Sequence, residues 1–312
     1  EVGLAVIGSD YNGALALRGK VINAESSVQR LTANKEFCHI CRMLGLEMGR
    51  PTPRSQLRYG RVVFLTDQDY DASHIQALLL WMFACHWPHL LREKDFLVKM
   101  ITPIIIARPA AKKSRTPPKP FFTIPSFRAW WDSLTPGQRA QWHTKYYKGL
   151  ATSNNKEGRY YFSHRAQHLR PFRPANPVDF ERLRMVMSLG TAAERRLWLQ
   201  TYDRHACIPY DLQPSVSISQ FVDQDLKHYS WTSIVRGIPL AEDGLTQSAR
   251  KCLWVFLQKD IRQSMKIATA QSVVDKTTNY HYGPDSLGQT IARLTQQFTG
   301  KQNLNFLVPD GQ

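Results

Sequence analysis

The chain has 312 residues, of which 43% are hydrophobic and 21% charged, and 41 Lys and Arg against 25 Asp and Glu give a formal net charge of +16. This composition is that of a globular chain long enough for two domains, and it excludes wholesale disorder. The longest apolar run, residues 77–85, is too short for a membrane helix of ~20 residues, and five cysteines do not suggest a secreted disulfide framework. The charge favours a polyanion, above all nucleic acid, over the alternative of a basic surface that only aids solubility.

The first part of the chain predicts a strand and a helix. Val2–Ile7 is a short apolar run before a turn, which predicts a buried strand. Residues 36–46 predict a helix with one apolar face. Cys38 and Cys41 in this helix have the spacing of a zinc or redox pair, but no second pair follows, so we expect them to pack in the core.

A βαβ unit is predicted next. Residues 61–66 are β-branched and continuously apolar in their middle, which predicts an interior parallel strand buried on both faces. Residues 73–91 predict a helix that is apolar nearly all round, kinked or ended by Pro88. Residues 96–106 predict a second strand, so a parallel sheet is expected.

The rest of the chain predicts a loop and then mostly helices. Residues 108–120 are rich in Pro and basic residues, which indicates an exposed loop; a phosphate contact or a nuclear-localisation signal is the alternative. Residues 178–207 and those beyond 223 predict helices, and a domain boundary is expected near Val216. Because the chain opens on Glu1 without an initiator Met, we expect a fragment of a longer protein.

An acidic cluster gives the sharpest local signal. Asp67, Asp69 and Asp71 directly follow the predicted strand at residues 61–66. In an extended segment alternate side chains share a face, so these carboxylates could converge on a divalent cation such as Mg²⁺. Ligands also bind at the carboxyl ends of strands in open α/β sheets. The alternative is a solvated acidic turn, or a helix cap formed by Asp71.

Motifs along the whole chain resemble eukaryotic-type DNA topoisomerase II, a type IIA enzyme. The segment TDQDYDASH at residues 66–74 resembles the family's Toprim metal motif. The others, in order, are ALRGKVIN at 16–23, WPHLL at 87–91, ITPI at 101–104, KYYKGLAT at 145–152, IPLAEDGLTQSARK at 238–251, YHYGPDSL at 280–287 and GKQNLNFLVP at 300–309.

The resemblance implies an α/β Toprim domain, with a mostly parallel sheet flanked by helices, followed by a mainly helical winged-helix segment. The expected division is a Toprim domain at 1–105, a basic loop and connecting region at 106–215, and the start of the DNA gate at 216–312. The implied activity is ATP-dependent passage of one DNA duplex through a transient double-strand break in another. A homodimer in the nucleus, or alternatively in the mitochondrion, is expected, with no membrane association.

The resemblance also assigns residues. It implies Asp67, Asp69 and Asp71 as the site of Mg²⁺, for which Mn²⁺ or Ca²⁺ can substitute. The DNA-binding residues that it implies are Arg18, Lys20, Lys148, Arg250 and Lys251. His281 is the candidate to orient or deprotonate the nucleophile, and Arg250 lies near the scissile phosphate. The nucleophilic tyrosine, a Toprim glutamate and the ATP-binding domain are expected outside this chain, so the fragment alone is expected to be inactive.

Several positions depart from the family pattern. Ala72 and Ala151 replace glycines, Tyr282 replaces the second histidine of YHHGE, and Pro284 replaces its glutamate. The other departures are Thr246, Gln247 and Ala249. All three aspartates and Arg250 are retained, which favours an active enzyme over a non-cleaving, DNA-binding or architectural paralogue.

Overall fold

A computed structural model of the chain describes residues 2–111, 116–147, 155–280, 282–300 and 304–310. It contains two compact units, Glu1–Ser230 and Trp231–Gln312. The division into residues 1–105, 106–215 and 216–312 that the resemblance implies stays a prediction.

The first unit mixes helices and strands. In chain order its elements are α1 (Val2–Ile7), α2 (Val28–Ala33), α3 (Lys35–Leu44), β1 (Val62–Leu65), α4 (Tyr70–His86), α5 (Pro88–Leu91), β2 (Leu97–Met100), β3 (Ile105–Pro109), β4 (Lys119–Phe121), α6 (Ile124–Asp132), α7 (Pro136–Arg139), β5 (Trp142–Tyr146), α8 (Asn155–Ser163), α9 (Arg165–His168), β6 (Leu169–Pro171), α10 (Pro177–Met187), α11 (Ala192–Gln200) and α12 (Ile218–Phe221). A short π-helix, Val222–Leu226, leads into α13 (Lys227–Gly237), which contains the division between the units.

The described strands form two small sheets. In the first, β1 pairs in parallel with β2, with Val62 opposite Leu97, and β6 pairs antiparallel on the other side of β2. In the second, β3 lies between β4 and β5 and is antiparallel to both. The predicted βαβ unit is therefore present as β1, α4 and β2, but the first sheet is mixed rather than mostly parallel.

The core of the first unit surrounds α4. This helix is buried along most of its length, and Leu80 and Phe83 are no more than 1% exposed. Aromatic side chains from other elements close over it, and Phe83 packs edge-on against Phe96 at 5.7 Å between ring centroids. Trp87 ends α4, and Pro88 starts α5 at the position where a missing N–H costs least.

The second unit is helical in its described residues. It contains the end of α13, α14 (Gln247–Gln258), α15 (Ile267–Thr278) and α16 (Pro284–Leu294). Its core is a separate cluster in which Cys252, Val255, Val274 and Leu287 are almost fully buried. The expected fold class, an α/β domain followed by a mainly helical segment, is confirmed. No helix among the described residues is long and apolar enough to cross a membrane.

Two local predictions are wrong. Val2–Ile7 is a helix, not a strand, because six apolar residues suit either element and periodicity cannot separate the two at that length. The strand at residues 61–66 exists as β1, but among the described residues it pairs only with β2 and lies at the sheet edge. Phe64 is 4% exposed, whereas Val63 and Leu65 are 41% and 45% exposed. An apolar sequence predicts that a strand is buried, but it does not determine how many strands pair with it.

The predicted strand at residues 96–106 is divided. Leu97–Met100 belongs to the first sheet and Ile105–Pro109 to the second. The segment between them contains Pro103, which cannot donate to a strand ladder. The core prediction for Cys38 and Cys41 fits the structure, since both are half-buried thiols next to the buried Phe37 and Ile40.

Candidate metal centre and nucleic-acid interface

The acidic cluster lies where β1 ends and α4 begins. Asp69 caps α4, and its Oδ1 accepts a hydrogen bond of 2.7 Å from the N–H of Ala72. Asp71 lies in the first helical turn, so the extended spacing expected for all three aspartates is wrong for Asp71. The cap is Asp69 and not Asp71, because the helix begins at Tyr70, before the predicted start.

Asp67 and Asp69 share one cavity. Its volume is about 140 Å³, enough for several waters, and both aspartates line it. Burial raises the pKa of Asp69, and the nearby charges of Asp67 and Asp71 raise it further; the Ala72 hydrogen bond and the charge of Lys20 oppose this. A bound cation would stabilise the ionised carboxylate of Asp69 and so oppose this rise in pKa.

The side chains around this cavity fit a hydrated Mg²⁺. Gln76 lines the cavity at 1% exposure, and its Nε2 donates to Thr66 Oγ1 at 2.6 Å. Its buried amide oxygen has no hydrogen-bond partner among the described residues, so it can accept from a metal-bound water. No cluster of three or more His, Cys, Asp or Glu side chains suited to a metal occurs in the described part of the chain. Mg²⁺ commonly binds one or two carboxylates and keeps several waters, which matches Asp67 and Asp69.

Asp71 is joined to a predicted DNA-binding residue. Lys20 Nζ lies 3.0 Å from Asp71 Oδ1 and 3.1 Å from the hydroxyl of Tyr229. The same ammonium lies 4.5 Å from the Tyr229 ring centroid. Burial alone would lower the pKa of Lys20, but the hydrogen bonds with Tyr229 and Asp71 raise it above its ordinary value. Lys20 therefore stays charged beside the acidic cluster, while Arg18 is exposed two residues earlier.

A buried ion pair that also lines the cavity was missed by the sequence analysis. Lys99 on β2 is 3% exposed, and its Nζ lies 2.6 Å from Asp225 Oδ2 in the π-helix. The hydroxyl of Tyr210 accepts from Lys99 at 2.7 Å and donates to Asp225 at 2.5 Å. Burial raises the pKa of Tyr210 well above its usual range, so this hydroxyl keeps its proton. The available signal was a lysine inside the apolar run LVKM, since a buried charge needs a partner.

In the second unit, Arg250 and Lys251 lie on α14. The Arg250 guanidinium is held by Asp243, with N–O distances of 2.7 to 2.9 Å, and is partly exposed. Lys251 Nζ lies 5.9 Å from the ring centroid of Tyr280. Tyr282 packs beneath Arg236, whose Cζ is 4.6 Å from the phenol ring centroid. His281 and Lys148, both predicted site residues, lie outside the described residues.

Comparisons with known proteins agree on one family. Residues 100–234 match the family described as the C-terminal associated domain of TOPRIM, and residues 236–312 match the family of the DNA gyrase/topoisomerase IV A subunit. DNA topoisomerase 2 of Arabidopsis thaliana is 37% identical over 317 residues, which cover 99% of this chain and 21% of that protein. The Saccharomyces cerevisiae DNA topoisomerase 2 is 35% identical over 315 residues, again covering 99% of this chain and 21% of that protein.

A solved structure gives the same result. The crystal structure of the Plasmodium falciparum topoisomerase II DNA-binding, cleavage and re-ligation domain superimposes with a TM-score of 0.84 at 33% identity. The match covers 98% of this chain and 41% of that one. The chain belongs to the type II DNA topoisomerase family. It spans about a fifth of the length of the two DNA topoisomerase 2 relatives.

The structure accounts for several departures from the topoisomerase II pattern. Ala72 is helical and 5% exposed, so no positive φ is forced on it. Thr246 caps α14 through the N–H of Ala249, and Gln247 is the first residue of that helix. Pro284 begins α16, a favoured position for proline. Ala151 lies outside the described residues. These described substitutions therefore suit the local backbone, whereas Tyr282 is the departure that exchanges an imidazole for a phenol.

Proposed function

We propose that this chain is the Toprim and gate-entry segment of an ATP-dependent enzyme that changes DNA topology. In the full-length protein it would break both strands of one duplex, pass a second duplex through and reseal the break. The observation that carries this proposal is the pair of carboxylates, Asp67 and Asp69, on one small cavity at the carboxyl end of β1. ATP would bind to a domain outside the chain, and the fragment alone would be inactive.

Asp67 and Asp69 would hold Mg²⁺, and Mn²⁺ or Ca²⁺ could replace it. The cation would stabilise negative charge on the phosphate and on the leaving oxygen. Asp71 would act through Lys20, since their 3.0 Å contact fixes the ammonium beside the cluster. The Gln76 amide oxygen would accept a hydrogen bond from a metal-bound water.

Duplex DNA would be bound by basic residues of both units. Arg18, Lys20 and Lys148 would contact phosphates in the first unit, and Arg250 and Lys251 in the second. The two hydrogen-bonding edges of an arginine suit paired phosphate oxygens, and Asp243 orients the Arg250 guanidinium before DNA arrives. His281 would orient or deprotonate the nucleophile, a tyrosine outside this chain. The full-length protein would act as a homodimer.

A non-cleaving, DNA-binding or architectural paralogue is the second candidate, and Tyr282 is the observation that favours it. Where the family pattern has a second histidine, this chain has a phenol, which lies under the Arg236 guanidinium. The retained aspartates and Arg250 support the cleaving enzyme.

We propose the nucleus as the location, since nuclear DNA would be the natural substrate of such an enzyme. The mitochondrion is the alternative. A protein named "DNA topoisomerase 2, mitochondrial" from Dictyostelium discoideum is 34% identical over 315 residues.

Unlinking of intact catenated DNA circles by the full-length protein tests the function. The cleaving enzyme should separate the circles only with both ATP and Mg²⁺, because separation requires passage through a double-strand break. Binding of the circles without separation under the same conditions would instead support the architectural paralogue.

A further inference from the structure

Much of the positive charge of this chain lies in one short segment, residues 104–147, called here the basic subdomain. It contains eight Lys and Arg residues and one acidic residue, Asp132, a formal charge of +7 out of the +16 of the whole chain. The segment holds the second sheet, β4-β3-β5, together with α6 and α7. Its own small core, Ile105, Ala107 and Phe121, is separate from the main core of the first unit.

Five of these cations belong to the described residues, and they fall into two groups. Arg108 and Lys145 both pair with the buried carboxylate of Glu157, at 2.6 and 3.4 Å. Lys119 and Arg128 are exposed, and no carboxylate pairs with either one in the described part of the chain. Arg139 reaches Asp132 at 3.4 Å, but the Asp132 side chain is 73% exposed, and such pairs neutralise little in water.

Aromatic rings lie close to two of these cations, Lys119 and Arg139. Lys119 Nζ lies 5.1 Å from the ring centroid of Trp130 and 5.6 Å from that of Phe121. Arg139 Cζ lies 5.7 Å from the ring centroid of Trp131. A cation held over a ring has lost part of its conformational freedom before a ligand binds, which lowers the entropic cost of binding.

The same packing leaves little ring surface for a nucleic-acid base. Trp131 has the Arg139 guanidinium near it and stacks on Phe127 with centroids 5.6 Å apart and an interplanar angle of 27°. Trp130 is near Lys119 and meets Trp142 edge-on at 5.3 Å. Base stacking, the usual means of holding single strands, is therefore disfavoured, and contact through phosphates is favoured.

We propose that the basic subdomain is an additional binding surface for the phosphate backbone of duplex DNA, using Lys119, Arg128 and Arg139. It is separate from the residues assigned above to the metal site and to the second unit. It rests on the proposed function only in taking duplex DNA as the partner. Such contacts are independent of sequence and release counterions, so they appear as salt dependence of the affinity.

The test uses the full-length protein with Lys119→Gln, Arg128→Gln and Arg139→Gln combined. A matched control removes three exposed charges elsewhere in the first unit, by Arg30→Gln, Lys35→Gln and Arg42→Gln. Affinity for a fluorescent duplex is measured by anisotropy over a series of KCl concentrations. The plot of log K against log[salt] should become shallower in the basic-subdomain variant. The magnitude of its negative slope should fall by about 2 to 3, at about 0.9 per phosphate contact. The control should keep the wild-type slope.

Each other outcome has a distinct meaning. A basic-subdomain variant with the wild-type slope and affinity would contradict this inference and leave the proposed function intact. A wild-type protein whose duplex affinity does not depend on salt would contradict the proposed function as well. Tighter binding to single strands than to duplex, lost in Trp131→Ala, would show base stacking and overturn the assignment to duplex backbone.

Discussion

Tyr282 is the residue at which this chain departs most in chemistry from the topoisomerase II pattern. The ring lies under the Arg236 guanidinium and 5.4 Å from the ring centroid of Tyr280, in a partly buried position. Imidazole titrates near pH 6.5, whereas phenol titrates near 10. Imidazole is therefore the group that commonly exchanges protons in neutral solution.

We expect Tyr282→His in the full-length protein to raise the rate of DNA cleavage between about pH 6.5 and 7.5, the range in which imidazole is partly protonated. Under the same account His281→Ala should lower the rate by about 10²-fold, the lower range for general acid–base catalysis. Tyr282→Phe is the control, since it keeps the ring under Arg236 but removes the hydroxyl. Mapping the DNA-linked peptide adds a second readout, and a covalent link on Tyr282 itself would overturn the assignment of the nucleophile to a residue outside this chain.

His168 gives a pH-dependent prediction that is independent of catalysis. It is 2% exposed, its Nδ1 lies 3.0 Å from the carbonyl of Ile101, and its Nε2 has no hydrogen-bond partner among the described residues. Burial lowers the pKa of this imidazole, although the Ile101 hydrogen bond opposes the shift. The unfolded chain therefore binds a proton at a pH where the folded chain does not.

The free energy of unfolding should fall as the pH drops below about 6.5, because protonation then favours the unfolded state. His168→Phe should weaken that dependence, since an apolar ring can fill the site without titrating. Urea unfolding at pH 7 and pH 5 measures the effect, with His39→Asn, an exposed histidine, as the control. If the free energy of unfolding falls by the same amount between pH 7 and pH 5 in wild type and in His168→Phe, the prediction is contradicted.

At the scale of elements, the Lys99–Asp225 pair joins strand β2 to the π-helix before α13. These two residues are 126 positions apart in sequence and lie on a wall of the same cavity as Asp67 and Asp69. π-Helical turns are rare and occur often at functional sites. Because Lys99 lies on β2, its ion pair with Asp225 fixes the π-helix against the sheet whose strand β1 leads into the acidic cluster.

Removing one member of this pair should destabilise the folded protein. Asp225→Ala leaves the Lys99 ammonium buried without its carboxylate, and we expect a loss of about 3–5 kcal/mol in the free energy of unfolding. The double variant Lys99→Met, Asp225→Leu should recover most of the loss, because no buried charge remains. Urea unfolding of wild type, Lys99→Met, Asp225→Leu and the double variant completes a double-mutant cycle and measures the coupling between the two residues. A double variant no more stable than Asp225→Ala would show that packing, not charge, holds this contact.

For the whole molecule, local patterns predicted much of the fold and of the candidate site. The apolar run before Asp67, the helix after it and the order of the family motifs each follow from neighbouring residues. Features that depend on distant residues were missed or wrong. The edge position of β1 depends on which strands flank it, and the Lys99–Asp225 contact depends on packing between distant segments. The cap at Asp69 was missed because Asp69 and Asp71 are equally suitable N-cap residues by type, so the sequence does not determine which of them precedes the helix.

The central claim is that Asp67 and Asp69 hold the cation with which the full-length enzyme breaks DNA. Trapped cleavage complexes and Mn²⁺ binding, measured side by side in wild type, Asp67→Ala and the exposed control Asp10→Ala, test it most directly. We expect Asp67→Ala to weaken Mn²⁺ binding and abolish cleavage while the affinity for duplex DNA stays nearly unchanged, and Asp10→Ala to match wild type. Cleavage at the wild-type level by Asp67→Ala would contradict the claim.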